Sequence, residues 1–190
     1  MIKRSKIMQI VERKDRSIIV DGIVDSDIRS RNFAGKEKRH PVTGQIVNGE
    51  GYRNFLLYHL PDDLVQELQA RGCEVKFSNV TNPNDVPTPY VSISVSYYLK
   101  PVDVQTFANG VQTMLDENHV GHLDSMDISR MCIGLEFGKQ KTRRNGNVYT
   151  PIYASTIWAT ITPNYFAESF GGTMATTTPN VEPNGETEPF

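Results

Sequence analysis

Residues Ile28 to Leu60 read IRSRNFAGKEKRHPVTGQIVNGEGYRNFLLYHL. Aromatic rings sit beside arginines twice, in Arg31-Asn32-Phe33 and in Tyr52-Arg53-Asn54-Phe55. Between them lie Lys36, Lys38 and Arg39, then a loop punctuated by Pro41, Gly44, Gly49 and Gly51. Arg53–Leu60 alternates, with Phe55, Leu57 and His59 on one side and Asn54, Leu56 and Tyr58 on the other, so it is expected as a strand that Pro61 ends. Upstream, Ser17–Val24 (SIIVDGIV) is a β-branched strand interrupted at Gly22, as a curling sheet requires.

Downstream, the acids Asp62 and Asp63 suit the positive end of a helix, Leu64, Val65 and Leu68 give it an apolar stripe, and Gly72 stops it. Cys73–Phe77 reads as a short strand and Ser78–Pro89 as a loop. Tyr90–Leu99 (YVSISVSYYL) alternates, with Val91, Ile93, Val95 and Tyr97 on one side and serines on the other. Pro101 breaks it, and Val102–Phe107 is expected to continue along the sheet edge. Asn109–Ser129 is acidic, with a short helix expected from Asp116 to about Leu123. Asp127–Phe137 reads as a strand, Gly138–Asn147 as a basic hairpin loop with an Asn-Gly turn, and Val148–Thr162 as the closing strand, with a bulge or edge at Pro151.

Short strands, one helix between strands and two long basic loops point to a mainly β fold. The expectation is an OB-fold-like five-stranded Greek-key barrel with one or two short helices; a β-sandwich is the alternative. Residues 1–16 are read as an N-terminal arm or a loosely amphipathic helix, 17–162 as the domain, and 163–190 as a disordered acidic tail that cannot bury enough apolar area to fold alone.

The net charge of −2 conceals a strong segregation. Residues 1–60 carry twelve Lys/Arg against seven Asp/Glu, and residues 61–136 carry four against eleven. Residues 137–165 then carry four bases and no acid, and 166–190 four acids and no base. Two basic blocks could therefore meet in the fold. Cys73 and Cys132 have no metal or redox spacing and are expected reduced, which suits the cytoplasm. The basic start lacks the apolar run of a secretory signal, and no stretch approaches the ~20 apolar residues of a bilayer span.

Cationic side chains track phosphates, and flat rings stack on unpaired bases. Arg31, Phe33, Lys36, Lys38, Arg39, Tyr52, Arg53 and Phe55, with Lys139, Lys141, Arg143 and Arg144 of the second loop, are therefore the expected contacts to single-stranded nucleic acid. Phe55 and Tyr58 could equally be core. His119 and His122 share a helical spacing, but no nearby Cys or His completes a metal site. Asp103, Asp116, Glu117, Asp124 and Asp127 lack the phosphate-positioning bases of a nuclease. There is no phosphate-cradling GxxxxGK[ST] loop and no nucleophile elbow, so neither an enzyme nor a cofactor is expected. The chain ends with Glu186, Glu188, Pro189 and Phe190, acids before an apolar anchor, which suits a partner with a basic groove and an apolar pocket.

Asn32-Phe33-Ala34-Gly35-Lys36, Gly51-Tyr52-Arg53-Asn54-Phe55, Leu68 to Val75 (LQARGCEV), Leu123-Asp124 and the late Trp158 together resemble the single-stranded DNA-binding proteins of tailed bacteriophages. The resemblance covers Ile18 to Thr162. It implies an oligonucleotide-binding barrel that serves DNA replication, recombination and repair in the cytoplasm of an infected bacterium. The end of the chain, Glu186 to Phe190, is similar to the tail tip of bacterial single-stranded DNA-binding proteins, which implies recruitment of replication or recombination proteins. Two departures stand out: Cys73 replaces an expected Trp before Glu74-Val75, and the tail acids are more widely spaced. The expected partners are thus single-stranded DNA and proteins met by the tail, with no membrane; a homo-oligomer stays open. An RNA-binding module on the same barrel and a virion structural or assembly protein are the alternatives.

Overall fold

The computed structural model describes residues 7–163 apart from Pro83 and Leu99. The strands are β1 (Gln9–Lys14), β2 (Ser17–Ile23), β3 (Ile28–Asn32), β4 (Lys38–Arg39), β5 (Ile46–Asn48), β6 (Arg53–Tyr58), β7 (Lys76–Phe77), β8 (Pro89–Val95), β9 (Asp103–Ala108), β10 (Val111–Met114), β11 (Ile128–Phe137), β12 (Lys141–Thr142), β13 (Val148–Tyr149) and β14 (Ile152–Ile161). Helix α1 (Asp62–Ala70) follows β6, and 3-10 turns cover Asp25–Asp27 and Val120–Asp124.

The main sheet runs β1-β2-β11-β14-β8-β6-β3. Its β2 and β3 are consecutive pieces of chain separated only by the turn at Asp25–Asp27. One bent strand thus pairs with β11 through its first half and with β6 through its second, which closes the sheet. A second strand is also divided: β8 and then β9 run parallel to β14, Ile93 opposite Ile152 and Val104 opposite Ile157. Counted this way the barrel has five strands, in the order of an oligonucleotide-binding barrel. The long connections 33–52 and 138–151 join its first strand to its second and its fourth to its fifth.

The bend begins at Gly22, whose φ of +82° favours glycine; a Cβ there would lie 2.7 Å from the Ile7 carbonyl oxygen. The Asp27 carboxylate accepts the Val24 N–H at 3.0 Å across the turn. Helix α1 buries Leu64 and Leu68. It ends in a Schellman arrangement: the Cys73 N–H donates to the Leu68 carbonyl and the Gly72 N–H to that of Gln69, both at 2.9 Å, with Gly72 at φ +76°.

Three expectations are corrected. Gln9–Lys14 is neither a helix nor a loose arm, because it hydrogen-bonds along β2. The strand expected over Cys73–Phe77 shrinks to Lys76–Phe77. The segment after Pro101 is flanked by β14 and β10 rather than lying at an edge. Its neighbour β10 arises from an Asn109-Gly110 hairpin, both residues at positive φ, inside the stretch read only as acidic. Of the residues read as a tail, 163–190, all but Pro163 lie outside the described residues.

The core fills the barrel and includes Phe33 and Phe55, both fully buried with ring centroids 5.2 Å apart and planes at 25°. For Phe33 this overturns the expectation of an exposed stacking ring; for Phe55 it selects the core alternative. Cys73 is buried too, and burial pushes its thiol up to about 11. Phe33→Ala should lower the unfolding free energy by about 3–5 kcal/mol in urea melts, because it removes one half of a stacked pair from a packed interior.

Candidate nucleic-acid interface

The corner at residues 31–36 is fixed from both sides. Asp124, at the end of its 3-10 turn, accepts the Phe33 N–H at 2.8 Å and the Ala34 N–H at 3.0 Å, one on each carboxylate oxygen. The turn comes so close that a Cβ on Gly121 would meet the Ala34 Cβ at 2.9 Å. The buried Asn32 side chain donates to the carbonyls of Lys36 and Tyr52 and accepts the Lys36 N–H, drawing the two ends of loop 33–52 together. Arg31 donates to the carbonyls of Leu123 and Met126 and pairs with Asp25. Burial acts to raise the Asp25 carboxyl, but the Arg31 guanidinium and the Ile128 N–H outweigh it and hold the group below the usual carboxylate range.

That corner delivers Tyr52 to the outer face of β6, β8 and β14. The Tyr52 hydroxyl lies 2.8 Å from the Ser94 hydroxyl. Where it meets loop 138–151 there is a groove of about 250 Å³, floored by Ser92 and Ser94 and walled by Tyr52, Tyr149 and Tyr153. Lys76, Lys141 and Arg143 supply its positive charge, and Glu74 lines it as well. Lys141 donates to the Tyr153 hydroxyl at 3.3 Å, which helps hold its ammonium charged above the ordinary lysine range. The Arg143 guanidinium stacks 4.7 Å from the Tyr149 ring centre. The surface continues past Tyr153 to a cavity of about 210 Å³ lined by Tyr97, Tyr98 and Arg53. On the same outer face Tyr58 and Tyr90 stack at 4.5 Å, with Arg29 4.4 Å over Tyr58. Flat rings, hydroxyls and cations on one face can hold stacked bases and their phosphates.

A family model described as "Putative phage ssDNA-binding domain" matches residues 8–173. The chain belongs to this family. Its members are binding domains rather than enzymes. The chain is also similar to the single-stranded DNA-binding protein from bacteriophage Enc34 solved in complex with ssDNA, at 8% identity and a TM-score of 0.44, covering 83% of this chain and 97% of that one. A C-terminal truncation of the Enc34 protein aligns at 8% identity with a TM-score of 0.46, covering 83% of this chain and 96% of that one. No curated protein matches the sequence.

Within this phage DNA-binding domain the expected contact residues separate into two groups. Tyr52, Lys141 and Arg143 come together in the groove. Lys36, Arg39, Lys139 and Arg144 are exposed on the two loops, and Arg39 is paired with Glu37. Lys38 is half-buried, its ammonium on the carbonyls of Ser30 and Arg31. Arg31, Phe33 and Phe55 belong to the scaffold instead: Arg31 is spent on carbonyls and a carboxylate, and the two rings face inward. Arg53 is 15% exposed and pairs with Glu117. Glu186, Glu188, Pro189 and Phe190 lie outside the described residues. Tyr149, Tyr153, Lys76 and the Arg29–Tyr58–Tyr90 stack were not anticipated as surface features. For Tyr90 and Tyr153 the signal was present: each stands opposite the buried positions of an alternating strand.

Asp25 has a depressed folded-state value, so its stabilising contribution is present above the unfolded carboxylate range and is lost as pH falls through the folded value. Arg31→Ala should move the Asp25 carboxyl back up in a carbon-13 NMR titration and shrink that acid-sensitive part of stability, with the salt dependence of DNA binding unchanged.

Proposed function

We propose that this protein binds and protects single-stranded DNA without catalysis and with little sequence preference, during phage DNA replication and recombination. DNA would follow the outer face of β6, β8 and β14 through the groove between loops 33–52 and 138–151. The groove itself carries the proposal: three tyrosines and three cations meet where Tyr52, at the end of loop 33–52, faces the basic loop 138–151. The rings offer a surface for any base, and hydroxyls and ammonium groups can take phosphates. Recruitment of replication or recombination proteins through Glu186, Glu188, Pro189 and Phe190 is part of the same proposal, as is action in the cytoplasm of the infected host. An RNA target would use the same face, so the sugar must be tested directly.

Fluorescence anisotropy with single-stranded DNA, duplex DNA and RNA of equal length, over a salt series, tests the proposal. Single-stranded DNA should bind tightest; equal or tighter binding to RNA would favour the RNA reading, and no binding to any of the three would sink both. Tyr52→Ala and Tyr153→Ala should each cost about 1–3 kcal/mol of DNA binding and leave the thermal midpoint nearly unchanged. Changing Lys36, Lys38 and Arg39 together to Glu should weaken binding to all sequences alike and flatten the log–log salt slope by about 0.7 per lost phosphate contact. A slope equal to that of the unaltered protein would remove that loop from the interface.

A further inference from the structure

Two arginines beside the groove are already paired with carboxylates. Both terminal nitrogens of Arg143 face Glu74, at 3.3 and 2.5 Å from its two oxygens, and Lys76 lies 3.6 Å from the same carboxylate. At the other end, Arg53 meets Glu117 at 3.1 Å. Glu117 is carried by the chain that leads into the 3-10 turn Val120–Asp124. Arg53 stands between two surface cavities, of about 210 and 540 Å³, and its Nε is buried with no hydrogen-bond partner. Both glutamates are well exposed, at 38% and 56% of the side chain. Arg143 is 40% exposed and Arg53 only 15%, so in each pair the exposed carboxylate is the member free to swing away and leave its arginine to another anion. Both acids come from the acidic middle of the sequence and both arginines from its basic blocks.

We propose that Glu74 and Glu117 are built-in stand-ins for DNA phosphates, occupying Arg143 and Arg53 until a strand displaces them. This rests on the reading of the groove as a DNA track. A carboxylate and a phosphate present similar paired oxygens to a guanidinium, so one can replace the other on the same fork. The consequence is thermodynamic. An arginine already neutralised by a carboxylate gains little net counterion release on meeting a phosphate, because the displaced carboxylate takes up a cation in turn. Weak anionic ligands, and single phosphates above all, must then compete with a tethered carboxylate, whereas a continuous strand displaces both at once. The glutamates therefore set a threshold that favours long single strands over scattered anions.

The test uses the full chain with Glu74→Gln, Glu117→Gln and the double variant, titrated with a labelled thymidine oligonucleotide across a salt series beside the unaltered protein. Glutamine keeps the size of glutamate and removes its charge. Each single variant should bind about two- to fivefold tighter at low salt, the range expected for releasing an exposed ion pair. Each should also steepen the log–log salt slope by about 0.7. The gain from Glu117→Gln should vanish in an Arg53→Gln background, and that from Glu74→Gln in an Arg143→Gln background. Arginine side-chain nitrogen resonances of the unaltered protein should shift on adding DNA, independently of how any variant folds. Weaker binding by the Gln variants would make the glutamates mere supports for the arginines and overturn the proposal. Unchanged affinity and slope, or unmoved arginine resonances in a protein that does bind DNA, would overturn it equally. Failure of the unaltered protein to bind the oligonucleotide would overturn the DNA reading itself, a result distinct from the others.

Discussion

The structure depends on one strand serving two partners. Between Gly22 and Ile28 the chain turns so that β2 can pair with β11 and β3 with β6. Without that turn the sheet would have two open edges in place of a seam. The turn is held at several points. Asp27 returns to the Val24 N–H, and Asp25 accepts the Ile128 N–H at the start of β11 while pairing with Arg31 at the end of β3. A carboxylate that accepts from two different strands fixes their relative position, which a contact between apolar side chains would do less tightly. The placement of Phe33 inside and Tyr52 outside follows from there: Asp124 pins the backbone beyond Arg31, and Asn32 ties it back to Tyr52.

Much of the fold was legible because it is written locally. Alternation over Tyr90–Val95 shows directly which residues face inward, and the helix ends at Gly72 for a reason visible in four or five residues. The role of Phe33 was not legible. Its neighbours are charged or small, and the residue that turns it inward, Asp124, lies 91 positions away. Arg31 is similar: an arginine beside an aromatic ring looks free to meet phosphate until carbonyls from residues 123 and 126 take its donors. The Asn109-Gly110 hairpin was legible and was masked by the acidic residues that follow it. Tyr149 and Tyr153 were seen only as strand residues, because a groove forms from separate segments and leaves no mark on any one of them.

The charge segregation in the sequence has a counterpart in space. Arginines of the two basic blocks, Arg53 at the start of β6 and Arg143 in loop 138–151, each meet an acid of the central segment, Glu117 and Glu74. A near-neutral chain can in this way carry a locally positive track without a large net charge, and so without the self-repulsion that such a charge brings.

The position of β14 has a bearing on how the chain reaches this state. It pairs with β11, β8 and β9, so three strands share it as a common neighbour. It is also the last described strand in the chain. During synthesis, β8 and β9 must wait for a parallel partner made about fifty to sixty residues later, and the barrel cannot close around its interior until residues 152–161 have left the ribosome. Parallel pairing across so long an intervening segment is slow because the loop must be ordered before the contact rewards it. The nascent domain therefore exposes much of its apolar interior until nearly all of it has been made. Assembly is set by this last described strand, and a chain broken before Ile152 would be a target for chaperones and proteases rather than a weaker version of the same protein.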